Sequence, residues 1–294
     1  MRILVTGGGG YLGCVLVRQL LHDHHVVVLD RFSWGTQPLA SITSPQLSVL
    51  SGDIRDATLV RTTMPGCDAV IHLAGVVGYP ACDANPADAD GTNVGGTRVV
   101  VEAAARANIP VYFASTGSTY GRVDGVATES TPLSPLTRYG RNKAEAEQIV
   151  VDVGGCALRL ATLYGLSPRM RWDLLPHTFA QLAVLAGKIP VYDPAARRTF
   201  LHVEDAANAF QYAVRNRWQG VYNVGDWAQN LTKHEVALEV QQHTKAEVTV
   251  HEGHDPDQRD YAVRYDKVRE VWKPQRVFDL GDVVAWARVW REGR

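Results

Sequence analysis

The sequence lacks any apolar stretch long enough to span a bilayer, and its 294 residues carry a formal charge of only -1. The first property argues against a membrane helix, which needs about 20 consecutive apolar residues. The second removes the electrostatic reason to expect nucleic acid or an anionic membrane surface as a partner. The first apolar run begins at residue 2, which leaves no room for a signal peptide, so we expect a cytoplasmic protein.

Cysteine is scarce as well as scattered. The four cysteines are Cys14, Cys67, Cys82 and Cys156. None of them forms a C-x-x-C pair or has a histidine at ligand spacing, which a structural zinc site would need. We therefore expect free thiols and no metal.

Glycine, in contrast, is concentrated in a turn at residues 6–13, with the sequence TGGGGYLG. The apolar run at 2–5 precedes this turn and predicts a buried strand. Apolar residues at helical spacing follow from 12 to 20, and a second apolar run at 26–29 ends at Asp30. This order of strand, glycine turn, helix, strand and acid predicts a dinucleotide site with the pyrophosphate at the helix N-terminus.

The spacing Gly7-x-x-Gly10-x-x-Gly13 is wider at its front than the fingerprint G-x-G-x-x-G. Glycines are needed for the tight turn, for close approach of the backbone to the pyrophosphate, and for packing of the helix on the strand. Asp30 would accept hydrogen bonds from the adenosine ribose and repel a 2′-phosphate, which predicts NAD. Arg31 could accommodate that phosphate, so NADP remains the less favoured alternative.

Four further apolar runs predict strands, at residues 47–50, 69–73, 111–115 and 156–161. Helical periodicity alternates with them, and a loop is expected after residue 121. The pattern predicts an α/β fold, a Rossmann-type doubly wound parallel sheet with a smaller C-terminal substrate lobe. We expect residues 1–165 to form the NAD-binding domain, with segments near 198–225 returning to it, and residues 166–294 to form mainly the lobe.

Tyr139 and Lys143 are four residues apart on a predicted helix and therefore share one of its faces. An adjacent ammonium group favours the phenolate and lowers the tyrosine pKa from its usual value of about 10. Thr116, at the end of a predicted strand, could hydrogen-bond the same substrate oxygen. The alternative is a pair of side chains extended from a solvated helix face. Their position after the glycine turn favours a hydride-transfer site in which the protein moves the proton.

Six motifs together resemble the extended short-chain dehydrogenases/reductases, the group of sugar-nucleotide epimerases, dehydratases and reductases. They are TGGGGYLG at 6–13, GDIRD at 52–56, HLAG at 72–75, STGSTYG at 115–121, YGRNK at 139–143 and RTFLHVED at 198–205. The resemblance makes Thr116 the catalytic hydroxyl, gives Asp53 and Ile54 the adenine contact, and places Asn93 at a helix start. Asp53 could also cap the helix that begins near Ala57, and both roles can hold together. The expected cofactor-binding residues are Gly7, Gly10, Tyr11, Leu12, Gly13, Asp30, Arg31, Asp53, Ile54, Leu73, Ala74, Gly75, Asn93, Tyr139 and Lys143.

The same resemblance implies a nucleoside-diphosphate sugar as substrate. Ser118 matches a position that often touches the hexose, and Arg198 matches the arginine that binds the nucleotide pyrophosphate. Arg259 is a second phosphate candidate, and His177 could line the sugar pocket. A homodimer formed through the helices at 93–108 and 139–151 is expected from the resemblance.

Among the reactions of this group we favour 4-epimerisation, with Tyr139 as the base. Dehydratases of the group carry an Asp-Glu pair after the catalytic threonine, where this chain has Gly117-Ser118. Arg31 keeps an NAD(P)H-dependent ketoreductase open, and a uronic-acid decarboxylase would need a cation such as Arg169 or Arg171 in the sugar pocket. A non-catalytic regulator that binds NAD(P) is disfavoured because such proteins commonly lose the tyrosine or the lysine.

Overall fold

The computed structural model describes residues 1–253 and 259–292, and its centre is a seven-stranded parallel sheet. The strands of the chain are β1 (Arg2–Thr6), β2 (His25–Asp30), β3 (Leu47–Ser51), β4 (Ala69–His72), β5 (Val111–Thr116), β6 (Arg122–Ala127), β7 (Cys156–Leu160), β8 (Thr162–Tyr164), β9 (Lys188–Val191), β10 (Arg197–His202), β11 (Gly220–Val224), β12 (Asn230–Thr232), β13 (Glu247–Val250) and β14 (Asp260–Val263). The order in the main sheet is β11-β7-β5-β4-β1-β2-β3. The strands β2 and β3 lie on one side of β1, and β4, β5, β7 and β11 lie on its other side. This change of side after β3 confirms the predicted Rossmann-type sheet.

Helices connect these strands. They are α1 (Tyr11–Leu20), α2 (Gln37–Ala40), α3 (Ala57–Thr63), α4 (Tyr79–Ala84), α5 (Pro86–Asp90), α6 (Thr97–Ala107), α7 (Arg138–Asp152), α8 (Leu175–Ala186), α9 (Val203–Arg215), α10 (Lys233–Gln242), α11 (Asp266–Arg269) and α12 (Gly281–Glu292). A π-helical turn, Gly91–Gly96, joins α5 to α6. No helix within the described residues has the length and apolarity to cross a bilayer.

Strand β1 shows why the sheet is covered on both faces. Ile3 and Val5 point into one apolar cluster, whereas Leu4 between them points into another. Successive side chains of a strand alternate between faces, so an uninterrupted apolar run requires helices on both sides. Helices α1 and α9 pack together on the first face, and α3, α6 and α7 contribute to the second cluster.

A third apolar cluster forms the core of the C-terminal lobe, around Tyr164, Phe179, Phe200 and Val236. Two small sheets supply its strands, one with the order β12-β10-β8 and one that pairs β13 with β9. Strand β11 then returns to the edge of the main sheet beside β7. The division of the chain at residue 165 stays a prediction.

Three local expectations differ from the structure. The region expected to be a loop contains β6, which pairs with β14 from far along the chain. The cap of α3 is Asp56, which accepts from the amides of Thr58 and Leu59, so the alternative capping role of Asp53 is wrong. Asn93 lies inside the π-helical turn rather than at a helix start, because the helical run already begins at Pro86.

Candidate active site

The glycine turn lies between the carboxyl ends of β1 and β4, where its backbone is closely packed. Gly7 has a φ of +75°, and its amide donates to the Leu29 carbonyl over 2.9 Å. A Cβ atom at Gly7 would lie 2.6 Å from the amide nitrogen of Ala74, and one at Gly13 would lie 2.7 Å from Gly8 Cα. Any larger residue would therefore displace the backbone at either position.

Helix α1 begins directly after this turn with its first amides uncapped by a side chain. Its N-cap is Gly10, which offers no acceptor, and its first turn contains no acidic residue. The first amides of a helix lack partners within the helix, and its dipole favours a negative charge there. The turn thus fits the pyrophosphate of a dinucleotide.

Asp30 ends β2 facing the same turn. Its two carboxylate oxygens accept from the amides of Gly9 (2.9 Å) and Phe32 (2.7 Å), which fixes the group while leaving acceptor capacity on both oxygens. Arg31 turns away to Asp88, with nitrogen to oxygen distances of 3.1–3.2 Å. Because Asp88 already neutralises Arg31, the site fits NAD better than NADP.

The other predicted cofactor residues lie along the neighbouring strand ends. Asp53 pairs with Arg55 over 2.5 Å, and this hydrogen bond, working against burial, lowers the pKa of Asp53. The side chain of Ile54 is buried. The Leu73 amide donates to the Thr6 carbonyl over 3.0 Å, which holds the segment of residues 73–75 beside the turn.

Gly75 and Asn93 lie next to Lys143. A Cβ atom at Gly75 would lie 2.8 Å from Asn93 Oδ1 and 3.8 Å from Lys143 Nζ. The Asn93 amide holds Val76 at both backbone atoms, by accepting from its N–H over 2.7 Å and donating to its carbonyl over 2.9 Å. This pairing fixes the loop that follows β4 against the lysine.

Lys143 is buried, with only 3% of its surface exposed. Its Nζ donates to the Ala114 carbonyl over 2.8 Å and lies 4.5 Å from the centre of the Phe113 ring. Burial lowers the pKa of Lys143 to about 8. The alternative interpretation, in which the side chains of Tyr139 and Lys143 extend from a solvated helix face, is therefore wrong for Lys143. The Lys143 side chain instead anchors α7 on β5.

Tyr139 lies one turn before Lys143 on α7. Burial raises the pKa of Tyr139, and the charges of Arg171 and Arg259 and the nearby Thr116 hydroxyl oppose that rise. We expected the lysine to supply the opposing charge, but its ammonium group points to the Ala114 carbonyl. Two arginines from distant segments supply the main positive charges around the phenol.

Three of the four predicted substrate residues are linked to one another. Arg259 donates to the Ser118 hydroxyl, and buried Arg198 donates to the Arg259 carbonyl. The Thr116 hydroxyl also donates to Ser118 over 3.2 Å. Arg198 is buried, and the linked side chains adjoin Thr116.

His177, the fourth of these residues, is buried behind a loop rather than open to the crevice. Its Nε2 accepts from the Gly165 amide over 3.2 Å, and its Nδ1 bonds the Arg171 carbonyl over 2.7 Å. Burial lowers the pKa of His177 to about 4, so the ring is neutral near pH 7. The Tyr11 phenol also fixes this loop, because it donates to the Gly165 carbonyl over 2.7 Å.

Sequence reasoning missed the buried charges that support this site. On α7, Glu147 accepts from Arg159 of β7, with a shortest distance of 2.6 Å, and from the Ser115 hydroxyl at 2.5 Å. Arg159 also donates to the Tyr120 phenol over 2.8 Å. The signal was the spacing of four residues from Tyr139 to Lys143 to Glu147, which places all three on one helix face.

One group of potential metal ligands lies outside this crevice, on α10 and before α12. His243 Nε2 is 3.1 Å from Glu239 and 3.3 Å from Asp279, whose carboxylate also accepts from the Gly281 amide. His243 thus lies between two carboxylates. We infer that these contacts hold α10 against the start of α12.

Comparison with known proteins agrees with this geometry. The family model described as NAD dependent epimerase/dehydratase family matches residues 3–225. The chain is 32% identical to the low-salt glycan biosynthesis protein Agl12 of Haloferax volcanii, over 96% of each chain. It is also 32% identical to a UDP-glucose 4-epimerase of Neisseria meningitidis, over 72% of this chain and 73% of that protein.

A solved structure extends the similarity to the whole chain. It is DesIV, a dTDP-glucose 4,6-dehydratase from Streptomyces venezuelae with NAD and TYD bound, and it is 29% identical with a TM-score of 0.88. The similarity covers 100% of this chain and 98% of that chain. Epimerases and dehydratases are thus both among the relatives.

Proposed function

Because the chain belongs to the NAD dependent epimerase/dehydratase family, we propose that it catalyses 4-epimerisation of a nucleoside-diphosphate sugar. Its relatives include a 4-epimerase and a 4,6-dehydratase, so the finer assignment depends on the residues around the phenol. The observation that carries it is the position of Tyr139 one helical turn from Lys143, whose Nζ adjoins the segment of residues 73–75 beside the glycine turn.

The residues that would hold NAD are those of the glycine turn, Asp30 and the segment of residues 73–75. NAD supplies a hydride acceptor that can also return the hydride. Tyr139 would remove the proton from the C4 hydroxyl of the sugar. It would return the proton once the bound keto-sugar has rotated to present its other face to the cofactor. Thr116 would bind the same oxygen, since it ends β5, the strand on which Lys143 of the same helix is anchored. General base catalysis of this kind contributes about 10²- to 10⁴-fold in rate.

Dehydration is disfavoured by the two residues that follow Thr116. Elimination of water needs an acid and a base near C5 and C6 of the sugar. A Cβ atom at Gly117 would lie 3.2 Å from the Tyr261 ring, which leaves little room for a carboxylate side chain there. Ser118 next to it bonds Arg259 and Thr116. Neither position offers the acid found in dehydratases of the group.

Ketoreduction is the second candidate, and the ion pair of Arg31 argues against it. A reductase that consumes NADPH would need a cation for the 2′-phosphate. Asp88 pairs with Arg31 and Asp53 pairs with Arg55, so each of these two cations already has a carboxylate of its own. This arrangement favours an enzyme that retains NAD through the cycle.

The test begins with the purified protein. We expect NAD to co-purify, identified by absorbance and mass, and we expect the enzyme to equilibrate UDP-glucose or dTDP-glucose with its C4 epimer without net consumption of cofactor. Tyr139→Phe should lower kcat by about 10²- to 10⁴-fold, because it removes the base. Release of water, measured as a 4-keto-6-deoxy product, would show a dehydratase instead.

Tyr212→Phe provides the matched control. Tyr212 lies on the surface of α9 and packs on Trp218, so the loss of its hydroxyl should leave kcat within about two-fold. Wild-type turnover by Tyr139→Phe would eliminate the proposed base, and an empty site that is active only with added NADPH would favour the reductase.

A further inference from the structure

Two side chains that have no part in the proposed reaction meet beside the dinucleotide site. The guanidinium carbon of Arg169 lies 4.4 Å from the centre of the Trp34 ring. A cation within about 6 Å of an aromatic ring centre is attracted by the negative face of the ring. Trp34 lies in the loop after β2 and Arg169 in the loop after β8. The contact therefore joins two loops from distant parts of the chain.

The loop that carries Trp34 is fastened to the glycine turn. Asp30 accepts from the amides of Gly9 over 2.9 Å and Phe32 over 2.7 Å. A Cβ atom at Gly9 would lie 2.9 Å from Phe32 Cε1, so the phenyl ring packs against the turn. The Gly35 amide donates to the Phe32 carbonyl over 2.9 Å. This hydrogen bond closes a turn over residues 32–35, and Trp34 is presented from that turn.

The loop that carries Arg169 is fastened to the first residue of α1. The Tyr11 phenol donates to the Gly165 carbonyl, and the Ser167 hydroxyl donates to the Tyr11 carbonyl, each over 2.7 Å. The Arg169 amide donates to the Ser167 hydroxyl over 3.3 Å. Nη1 of Arg169 donates to the Met170 carbonyl over 3.3 Å, which holds the guanidinium close to its own loop.

The two loops are attached on either side of one residue. Gly9 and Tyr11 flank Gly10, the N-cap of α1, and the amides that follow Gly10 fit the pyrophosphate of the cofactor. The glycine turn, the two loops and the contact between Trp34 and Arg169 thus form a closed ring of protein. This ring begins and ends at the dinucleotide site.

The two partners of the contact differ in their surroundings. Burial lowers the pKa of Arg169, and the charge of Asp30 is among those that oppose this change, so the guanidinium lies near the carboxylate expected to bind the ribose. The Trp34 side chain is 73% exposed. The indole can therefore move off the guanidinium into solvent without disturbing a packed core.

We propose that Trp34 and Arg169 form a latch that closes the dinucleotide site and must open each time NAD enters or leaves. This role concerns the cofactor alone, and it holds whether the sugar is epimerised, dehydrated or reduced. Because the same contact breaks in both directions, the latch slows binding and release by similar factors. Loop opening of this kind can limit the exchange of a bound molecule without taking part in the chemistry.

The test measures cofactor exchange rather than turnover. NADH-loaded protein is mixed with excess NAD in a stopped-flow instrument, and NADH fluorescence reports the release rate. The association rate is measured by mixing NADH with protein stripped of its cofactor. Trp34→Leu and Arg169→Gln should each raise both rates by about 2- to 30-fold, the range expected for the loss of one cation–π contact. The equilibrium affinity for NADH should stay nearly unchanged.

Two further variants show whether the two side chains act through one contact. Trp34→Phe keeps an aromatic face and should restore most of the slow exchange. The double variant Trp34→Leu with Arg169→Gln should exchange NADH no faster than the faster single variant, because both changes remove the same interaction. Trp227→Leu is the matched control, since Trp227 is also an exposed tryptophan but lies in the turn after β11. It should exchange NADH at the wild-type rates.

Three results would overturn the latch. The first is wild-type exchange in both single variants. The second is a double variant whose rate increases multiply, because the two side chains would then act independently. The third is an Arg169→Gln variant that releases NADH faster at an unchanged association rate while Trp34→Leu behaves as wild type. That result would show that Arg169 binds the cofactor directly.

Discussion

Two groups of charged side chains lie along helix α7, and they differ in what neutralises them. In the rear group, two turns beyond Tyr139, Arg159 and Glu147 neutralise each other, and hydroxyls of Ser115 and Tyr120 complete their hydrogen bonds. In the front group, the charges of Arg171 and Arg259 act on the Tyr139 phenol, and Arg171 pairs with the exposed Asp173.

The difference separates a pair of charges that holds the fold from charges that act on the Tyr139 phenol. A buried ion pair is stable only when its hydrogen bonds are complete, and removal of one partner leaves an uncompensated charge. The cations of the front group oppose the rise in the pKa of Tyr139 that burial causes. The rear group should therefore affect unfolding, whereas the front group should affect binding and pH dependence.

The largest expected effect lies in the rear group. Arg159→Met leaves Glu147 buried without a cation and should lower the free energy of unfolding, measured by urea denaturation, by about 3–5 kcal/mol. The double variant Glu147→Leu with Arg159→Met removes both charges and should recover much of that loss. If the free energy of unfolding of Arg159→Met lay within about 1 kcal/mol of the wild-type value, the division between the two groups would be contradicted.

An effect of intermediate size is expected for the front group. Arg259→Gln removes a charged donor and should raise KM for the nucleotide sugar by about 10- to 100-fold, the equivalent of about 1.5–3 kcal/mol for a hydrogen bond to a charged group. The loss of its charge also raises the pKa of Tyr139 further. Because the phenolate forms above that pKa, the acid limb of kcat against pH should move to higher pH.

The control for this variant is Arg264→Gln in the same segment. Arg264 is exposed and pairs with Asp266 over 2.6 Å, so its loss should change neither KM nor the pH limb. If Arg259→Gln lowered the unfolding midpoint without moving the acid limb, Arg259 would belong with the structural charges.

The smallest effect is expected for an ion pair that belongs to neither group. Arg98 of α6 lies 3.1 Å from Glu145 of α7, and both side chains are more than half exposed. Arg98→Ala should cost about 0.2–1 kcal/mol in the free energy of unfolding, and 1 M salt should remove the difference. A cost several times larger would indicate that a partner covers the pair, as in the homodimer that we predict through α6 and α7.

The features that the sequence predicted correctly arise from spacing within one or two adjacent elements. The glycine turn and the second strand with its terminal Asp30 are encoded within thirty residues. Tyr139 and Lys143 share one face of α7 because one helical turn separates them. Such patterns depend on local geometry, so they can be recognised before the rest of the fold is known.

The features that escaped prediction join distant segments. Arg259 reaches Ser118 across 141 positions of sequence, and Arg198 reaches the Arg259 carbonyl across 61. The pairing of β6 with β14 and the turn of Lys143 toward the Ala114 carbonyl likewise depend on how finished elements pack. No periodicity encodes these contacts, so the main positive charges around the phenol became visible only in three dimensions.

The late return of β11 to the sheet has a consequence for biosynthesis. Strand β7 pairs on one side with β5, but its other side gains a partner only when residues 220–224 have been made. Until then a nascent chain presents β7 as an open edge, and such edges recruit strands from other chains. Protection of the nucleotide half against aggregation therefore waits for synthesis through residue 224, and a chain truncated near residue 165 should be isolated as insoluble material.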